Sequence, residues 1–191
     1  MAKAYIFLAD GCEEIEALTP VDLLRRAEID VETVSIMGTN TIEGAHKIKF
    51  KADRLFLETD FSDGDMFMLP GGMPGTTNLA TYSPLIQLLK EKNNEGKHLA
   101  AICAAPAVIL GMNEFLKGKK AVCYPGMEEK LLDAEVSYEP VVTDGNITTS
   151  RGMGTAIAYS LELIRLLKGE EAAAELKTAI VYGHTFSYKQ S

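Results

Sequence analysis

No stretch of this 191-residue chain approaches the ~18 consecutive apolar residues that a membrane helix needs. The apolar run from Ala4 to Ala9 is too short for a signal-peptide core and runs straight into Asp10, Glu13 and Glu14. No targeting segment is expected, and the cytoplasm is the predicted address. Basic residues are the minority, with 19 Lys and Arg against 27 Asp and Glu, a net charge of −8. That balance disfavours binding to nucleic-acid phosphates or anionic lipid, so neither is an expected partner. Lys47, Lys49 and Lys51 come nearest to a basic cluster, and their alternate spacing reads as the wet face of a strand. The three cysteines, Cys12, Cys103 and Cys123, form no Cys-x-x-Cys pair. A disulfide framework, a thiolate zinc site and a thioredoxin-type motif are therefore not indicated, and reduced thiols are. Histidine is scarce too: His46, His98 and His184, none directly after a cysteine. No predicted helix carries metal-ligand spacing, and no Walker loop or dinucleotide fingerprint is present, so neither metal nor cofactor is expected.

What is present is ordinary globular material, 47 % hydrophobic and 24 % charged, enough for one core and one domain over residues 1–191. Tyr5 to Leu8 reads as a buried strand ending at Asp10-Gly11. Thr19-Pro20 reads as a helix start, with Leu23, Leu24 and Ala27 on the apolar face. Val31 to Met37 is a second strand, and Thr41 to Lys51 alternates around Gly44 as an edge hairpin. Asp65 to Leu69 is a third strand, stopped by Pro70-Gly71-Gly72. Ser83-Pro84 opens a helix, and His98 to Ile102 is a short apolar strand leading into Cys103. Ala121-Val122 and Val141 to Thr143 are strand-like, and Asp144-Gly145-Asn146 turns into Ile147 to Thr149. Met153 to Leu167 and Glu170 to Lys177 carry helical spacing. Strands alternating with helices predict an α/β fold: a doubly wound, mostly parallel sheet sandwiched by helices.

In such sheets ligands bind beyond the carboxyl ends of the strands. The topology brings four segments there: Asp10 to Glu16, Pro70 to Gly72, Cys103 to Pro106, and Ser150 to Gly154. Cys103 passes from strand to helix with no intervening loop, the signature of a nucleophile elbow. The helix that follows, beginning at Ala104, points its N–H groups at the sulfur and predicts a thiolate below the ordinary thiol pKa of about 8.5. The competing reading is a small inert core cysteine, which the junction disfavours. Gly71 and Gly72 offer backbone donors for a carbonyl or oxyanion, although Gly-Gly after a strand is commonly only a turn. Glu16, flanked by Ile15, Ala17 and Leu18, is the candidate catalytic carboxyl, held protonated by an apolar cleft. Glu13 and Glu14 read as solvated. His98, at a strand start, reads as a structural imidazole, so a Cys-His-acid triad has no evident base.

The words AAICAAP at 100–106, LPGG at 69–72, GCEEIEALTPVDLLRRA at 11–27 and TSRGMGTA at 149–156 carry a resemblance. Together, in this order, they are similar to the ThiJ/PfpI superfamily, in the branch of the Parkinson-disease-associated protein deglycase and its bacterial relatives. The resemblance implies a flavodoxin-like sandwich and a homodimer. It implies that Cys103 is the reactive, easily oxidised cysteine, Glu16 its protonated partner, and Gly71 and Gly72 the donors facing the sulfur. It further implies that Arg151 braces the site and that Arg26 lies near the dimer interface. Two positions depart from the family pattern. Tyr124 stands where a histidine is frequent, and His46 stands where an arginine often reaches the partner's site. A phenol is no neutral-pH base, and Ala104 replaces the histidine that follows the cysteine in peptidase members, so peptidase activity is not expected. The expected activity is cysteine-dependent handling of a small α-oxoaldehyde, of glyoxalase or deglycase type. The alternatives are a non-enzymatic redox sensor or stress chaperone and, more weakly, a role in thiazole phosphate biosynthesis.

Overall fold

The computed structural model describes residues 2–183; His184 lies outside the described residues. The chain opens with β1 (Lys3–Leu8), buried at every position. It continues through α1 (Glu14–Arg26), β2 (Asp30–Ser35), β3 (Thr41–Glu43), β4 (Lys49–Lys51) and β5 (Arg54–Leu55). Then come β6 (Met66–Leu69), α2 (Gly75–Thr81), α3 (Ser83–Asn94), β7 (His98–Ile102), β8 (Lys120–Ala121) and β9 (Glu135–Val136). The last elements are β10 (Val141–Asp144), β11 (Ile147–Ser150), α4 (Ala156–Lys168) and α5 (Glu170–Ala179).

The main sheet runs β10-β11-β7-β6-β1-β2-β5. Only the β10–β11 pair is antiparallel, closed by the turn expected at Asp144-Gly145-Asn146. The strands read as unbroken apolar runs because both faces are covered. Ile6, Leu8, Met66 and Met68 pack with residues of α1, α4 and α5 on one face. Tyr5, Phe7, Phe67 and Leu69 alternate onto the other, against α2 and α3. The order reverses beside β1, so the carboxyl ends of β1, β6, β7 and β11 surround the crevice expected of a doubly wound sheet.

Three expectations change. The first helix begins at Glu14, not at Thr19-Pro20, and Pro20 lies inside it. The Pro20 ring removes one helical hydrogen bond, but the first turn is held by the sheet edge, where Glu13 N–H donates to Gly71 O at 2.9 Å. Glu16 is therefore a first-turn helical residue rather than a loop residue. The hairpin forms a separate ribbon, Ile42 opposite Phe50, with Lys47 in its turn instead of on a strand. It lies over the loop after β1, where Gly11 N–H donates to Glu43 O and Ala45 N–H to Cys12 O, each at 2.8 Å. Ala121 belongs to a small two-stranded sheet with β9 rather than to the main sheet.

Beyond Cys103 the helical segment Pro106–Gly111 is wound wide, with Met112 N–H donating to Ala107 O and Phe115 N–H to Leu110 O. Such π-type turns recur at functional sites.

Candidate active site

Cys103 sits in the left-handed region at φ 65°, a conformation that a side-chain-bearing residue adopts at a cost of about 1–3 kcal/mol. Its backbone is fastened on both sides: its N–H donates to Ser150 O at 3.0 Å, and its carbonyl accepts from Tyr124 N–H at 2.8 Å. These bonds, contributed by the ends of β11 and by the segment after β8, hold the elbow against its strain. The side chain is half-buried in the crevice.

Glu16 comes to the same point from α1 and is 2 % exposed. Its carboxyl contacts the Cys103 thiol. Gly71 N–H donates to its Oε2 at 3.1 Å, and the Met153 N–H faces it as well. Burial, reinforced by the Glu13 charge, pushes the carboxyl up to about 7, while its contacts with Cys103, Gly71 and Met153 pull the other way. A carboxyl that keeps its proton to neutrality is the expected behaviour of this cleft.

The thiol departs from expectation. Burial and the neighbouring Glu16 charge push Cys103 up to about 12, and the N–H groups of Ala104 and Gly72 offset only part of that. Two backbone dipoles do not outweigh a carboxylate in contact with a half-buried sulfur. The pair is one coupled unit that shares a single proton above neutrality, and the helix start does not by itself create a free thiolate.

Gly71 is also corrected. Its N–H serves Glu16, so Gly72 and Ala104 are the donors facing the sulfur. The importance of Gly71 is its missing side chain: a Cβ there would stand 2.5 Å from Glu16 Oε2 and 3.1 Å from Cys103 Sγ. Glycine lets carboxyl and thiol meet across the β6 terminus.

Tyr124 lies at the mouth, 51 % exposed. A Cβ on Gly152 would be 3.5 Å from the Tyr124 ring and 3.8 Å from Glu16 Oε1, so both side chains border that glycine. Arg151 faces outward: Nη1–H donates to Tyr138 O at 3.1 Å and the guanidinium lies over that ring, bracing the chain before β10. Arg26 is exposed, paired with Asp22 at 2.8 Å, and borders a groove lined by Ile15, Leu18, Ile48 and Ile157. Neither Arg26 nor His46 is among the groups meeting the sulfur.

His98 is the structural imidazole expected. Its Nε2 meets Thr148 Oγ1 at 2.9 Å, and burial holds it down to about 4. Glu14, expected to be solvated, is 4 % exposed. Burial would raise its carboxyl, but the N–H groups of Glu14, His46 and Ile48 and the His46 ring hold it below the ordinary carboxylate range. Met153 lies in the Ser150 to Gly154 segment expected at the crevice, but nothing in the sequence singles it out. Its contribution is a backbone N–H, which every residue except proline supplies, so no side chain announces it.

The DJ-1/PfpI family model matches residues 2–166, and the chain belongs to that family. A Danio rerio Parkinson disease protein 7 homolog is 32 % identical over 184 residues, covering 94 % of this chain and 96 % of the fish protein. Arabidopsis thaliana protein DJ-1 homolog B is 40 % identical over 180 residues, covering 94 % of this chain. The chain spans only 41 % of that plant relative's length. A Pyrococcus abyssi relative, 29 % identical over 168 residues with 87 % of this chain and 99 % of that one covered, bears the name deglycase. Among solved structures, oxidised Toxoplasma gondii DJ-1 superposes with a TM-score of 0.93 at 33 % identity, covering 96 % of this chain and all of the other. Its sheet and helices are the flavodoxin-like fold that the words of the sequence implied.

Proposed function

We propose that the chain converts a small α-oxoaldehyde to a hydroxy acid at Cys103, a glutathione-independent glyoxalase activity of which deglycase-type action is a variant. The observation that carries the reading is the contact between a strained, half-buried Cys103 and the buried, protonatable Glu16. The deglycase name of the archaeal relative points the same way.

With methylglyoxal, Glu16 takes the thiol proton as the sulfur adds to the aldehyde carbon, and the proton passes to the new alkoxide. The N–H groups of Gly72 and Ala104, which face the sulfur, suit the oxygen carrying that charge. Glu16 then carries the hydrogen of the former aldehyde carbon, as a proton, to the neighbouring ketone carbon, while the hydroxyl proton passes from the first oxygen to the ketone oxygen. The first carbon is oxidised to a thioester and the second reduced to an alcohol, so no outside oxidant is required. Water releases lactate and restores the thiol.

Lactate formation by wild type, Cys103→Ala and Glu16→Gln in buffer free of amines and thiols tests this. Loss of the nucleophile should abolish turnover, and loss of the acid–base group should cost about 10²–10⁴-fold. Wild-type turnover matched by Cys103→Ala would overturn the reading.

A second reading, a redox sensor, draws on the same arrangement. A protonated Glu16 and two N–H donors would stabilise a Cys103 sulfinate, and the Toxoplasma relative is described as oxidised. Absence of lactate, together with peroxide uptake that stops at two oxygens in wild type but not in Glu16→Leu, would favour it.

A further inference from the structure

Among the described residues, Glu13, Glu14 and His46 bring their donor atoms within 4.8 Å of one another, where the hairpin turn meets the start of α1. Two of these residues open the helix and the third sits in the hairpin turn, so the cluster exists only in the folded chain. We propose that Glu13, Glu14 and His46 bind a divalent transition-metal ion, which clamps the β3–β4 turn to the start of α1.

The spacing supports this. His46 Nδ1 lies 3.0 Å from Glu14 Oε2 and 3.3 Å from Glu13 Oε2. Zinc bonds of about 2.0–2.2 Å put neighbouring ligands roughly 2.8–3.6 Å apart, across octahedral and tetrahedral arrangements. The two imidazole–carboxylate edges already stand at those lengths.

The site is also built rather than incidental. The Glu14 side chain is 5 % exposed. Its Oε1 accepts the His46 N–H at 2.8 Å, which leaves Oε2 facing the ring. Gly44 supplies the room, since a Cβ there would overlap the Glu14 carboxylate. Outer hydrogen bonds of this kind fix ligand orientation in metal sites. The Glu13 backbone is fastened through its N–H to Gly71 O.

The charges are left for a cation to neutralise. Lys47 and Lys49, the hairpin lysines flanking the cluster, both pair with Glu43, at 3.1 and 3.3 Å. Glu13 and Glu14 are thus balanced only by His46 among the described residues. In the single chain the ring is 69 % exposed, which leaves further coordination positions open. One imidazole with two carboxylates suits zinc, cobalt, nickel or manganese better than calcium or magnesium.

The test uses cobalt alone, in full-length Cys103→Ser protein so that the reactive thiol cannot contribute. Visible absorption during titration should report one cobalt ion per chain, displaced by zinc. His46→Gln and Glu13→Gln should each weaken binding by more than the roughly 10–100-fold that loss of a mere supporting hydrogen bond gives. Circular dichroism confirms that the variants stay folded. Absence of cobalt uptake by the Cys103→Ser protein would overturn the proposal, as would binding unchanged in His46→Gln.

Discussion

Replacing Glu16 with Gln should stabilise the protein while silencing the site. The carboxyl holds its proton to about 7, against an ordinary value of 4.5, because burial and the Glu13 charge penalise the anion. Between those values the folded chain binds a proton that the unfolded chain has released. The contribution of Glu16 to stability is thus greatest below about 4.5 and is lost as pH rises through about 7, where the folded protein must carry a desolvated carboxylate. At about 1.4 kcal/mol per pH unit, that rise represents about 3 kcal/mol. Glutamine keeps the shape and can accept the Gly71 N–H, but cannot ionise. Glu16→Gln should therefore exceed wild type by up to about 3 kcal/mol near pH 8, roughly 6–12 °C in Tm for a chain of this size. The advantage should shrink towards zero near pH 4.5. Urea denaturation of both proteins across that range measures it. An equal difference at every pH, or a Glu16→Gln protein less stable than wild type near pH 8, would refute the placement of an ionising carboxyl in this cleft.

Gly71→Ala should leave the fold intact at a cost of about 1–3 kcal/mol but part Glu16 from Cys103, since a methyl there would crowd both. Oxoaldehyde turnover should fall with it, and wild-type rates in a folded variant would contradict the shared-proton site. Limiting iodoacetamide should label Cys103 before Cys12 and Cys123, which are 0 % and 2 % exposed. Mass mapping should find the Cys103 rate climbing as pH passes through about 7, where the dyad loses its first proton, and that step should vanish in Glu16→Gln. Sedimentation at micromolar concentration should give a homodimer through the groove of Ile15, Leu18, Ile48 and Ile157 beside Arg26. Ile48→Glu should convert it to a monomer with unchanged circular dichroism, and a monomeric wild type would remove the shared interface.

Much of this architecture was legible in the chain. Runs such as Tyr5 to Leu8 and Met66 to Leu69 lack a polar face because both sides of their strands are covered, and that pattern needs no coordinates. The elbow could be read from a strand running directly into Ala104-Ala105-Pro106, and the left-handed φ at Cys103 is its consequence. Thr19-Pro20 is a strong local helix-start signal, whereas the actual start of α1 is fastened at Glu13, whose N–H donates to Gly71 O at a strand end more than 50 residues away. The proton affinities of Cys103 and Glu16 lay beyond local reading for the same reason. They depend on burial and on charges that meet through space, and the helix dipole visible in the sequence was the smaller effect. Sequence alone determined which strands are buried and which cysteine stands at the crevice, because side-chain polarity and chain turns are local properties. Tertiary structure decided which donor faces the sulfur, where the shared proton resides and that His46 meets Glu13 and Glu14. Hydrogen bonds and Coulomb interactions fall off with spatial distance, and only the folded chain sets that distance.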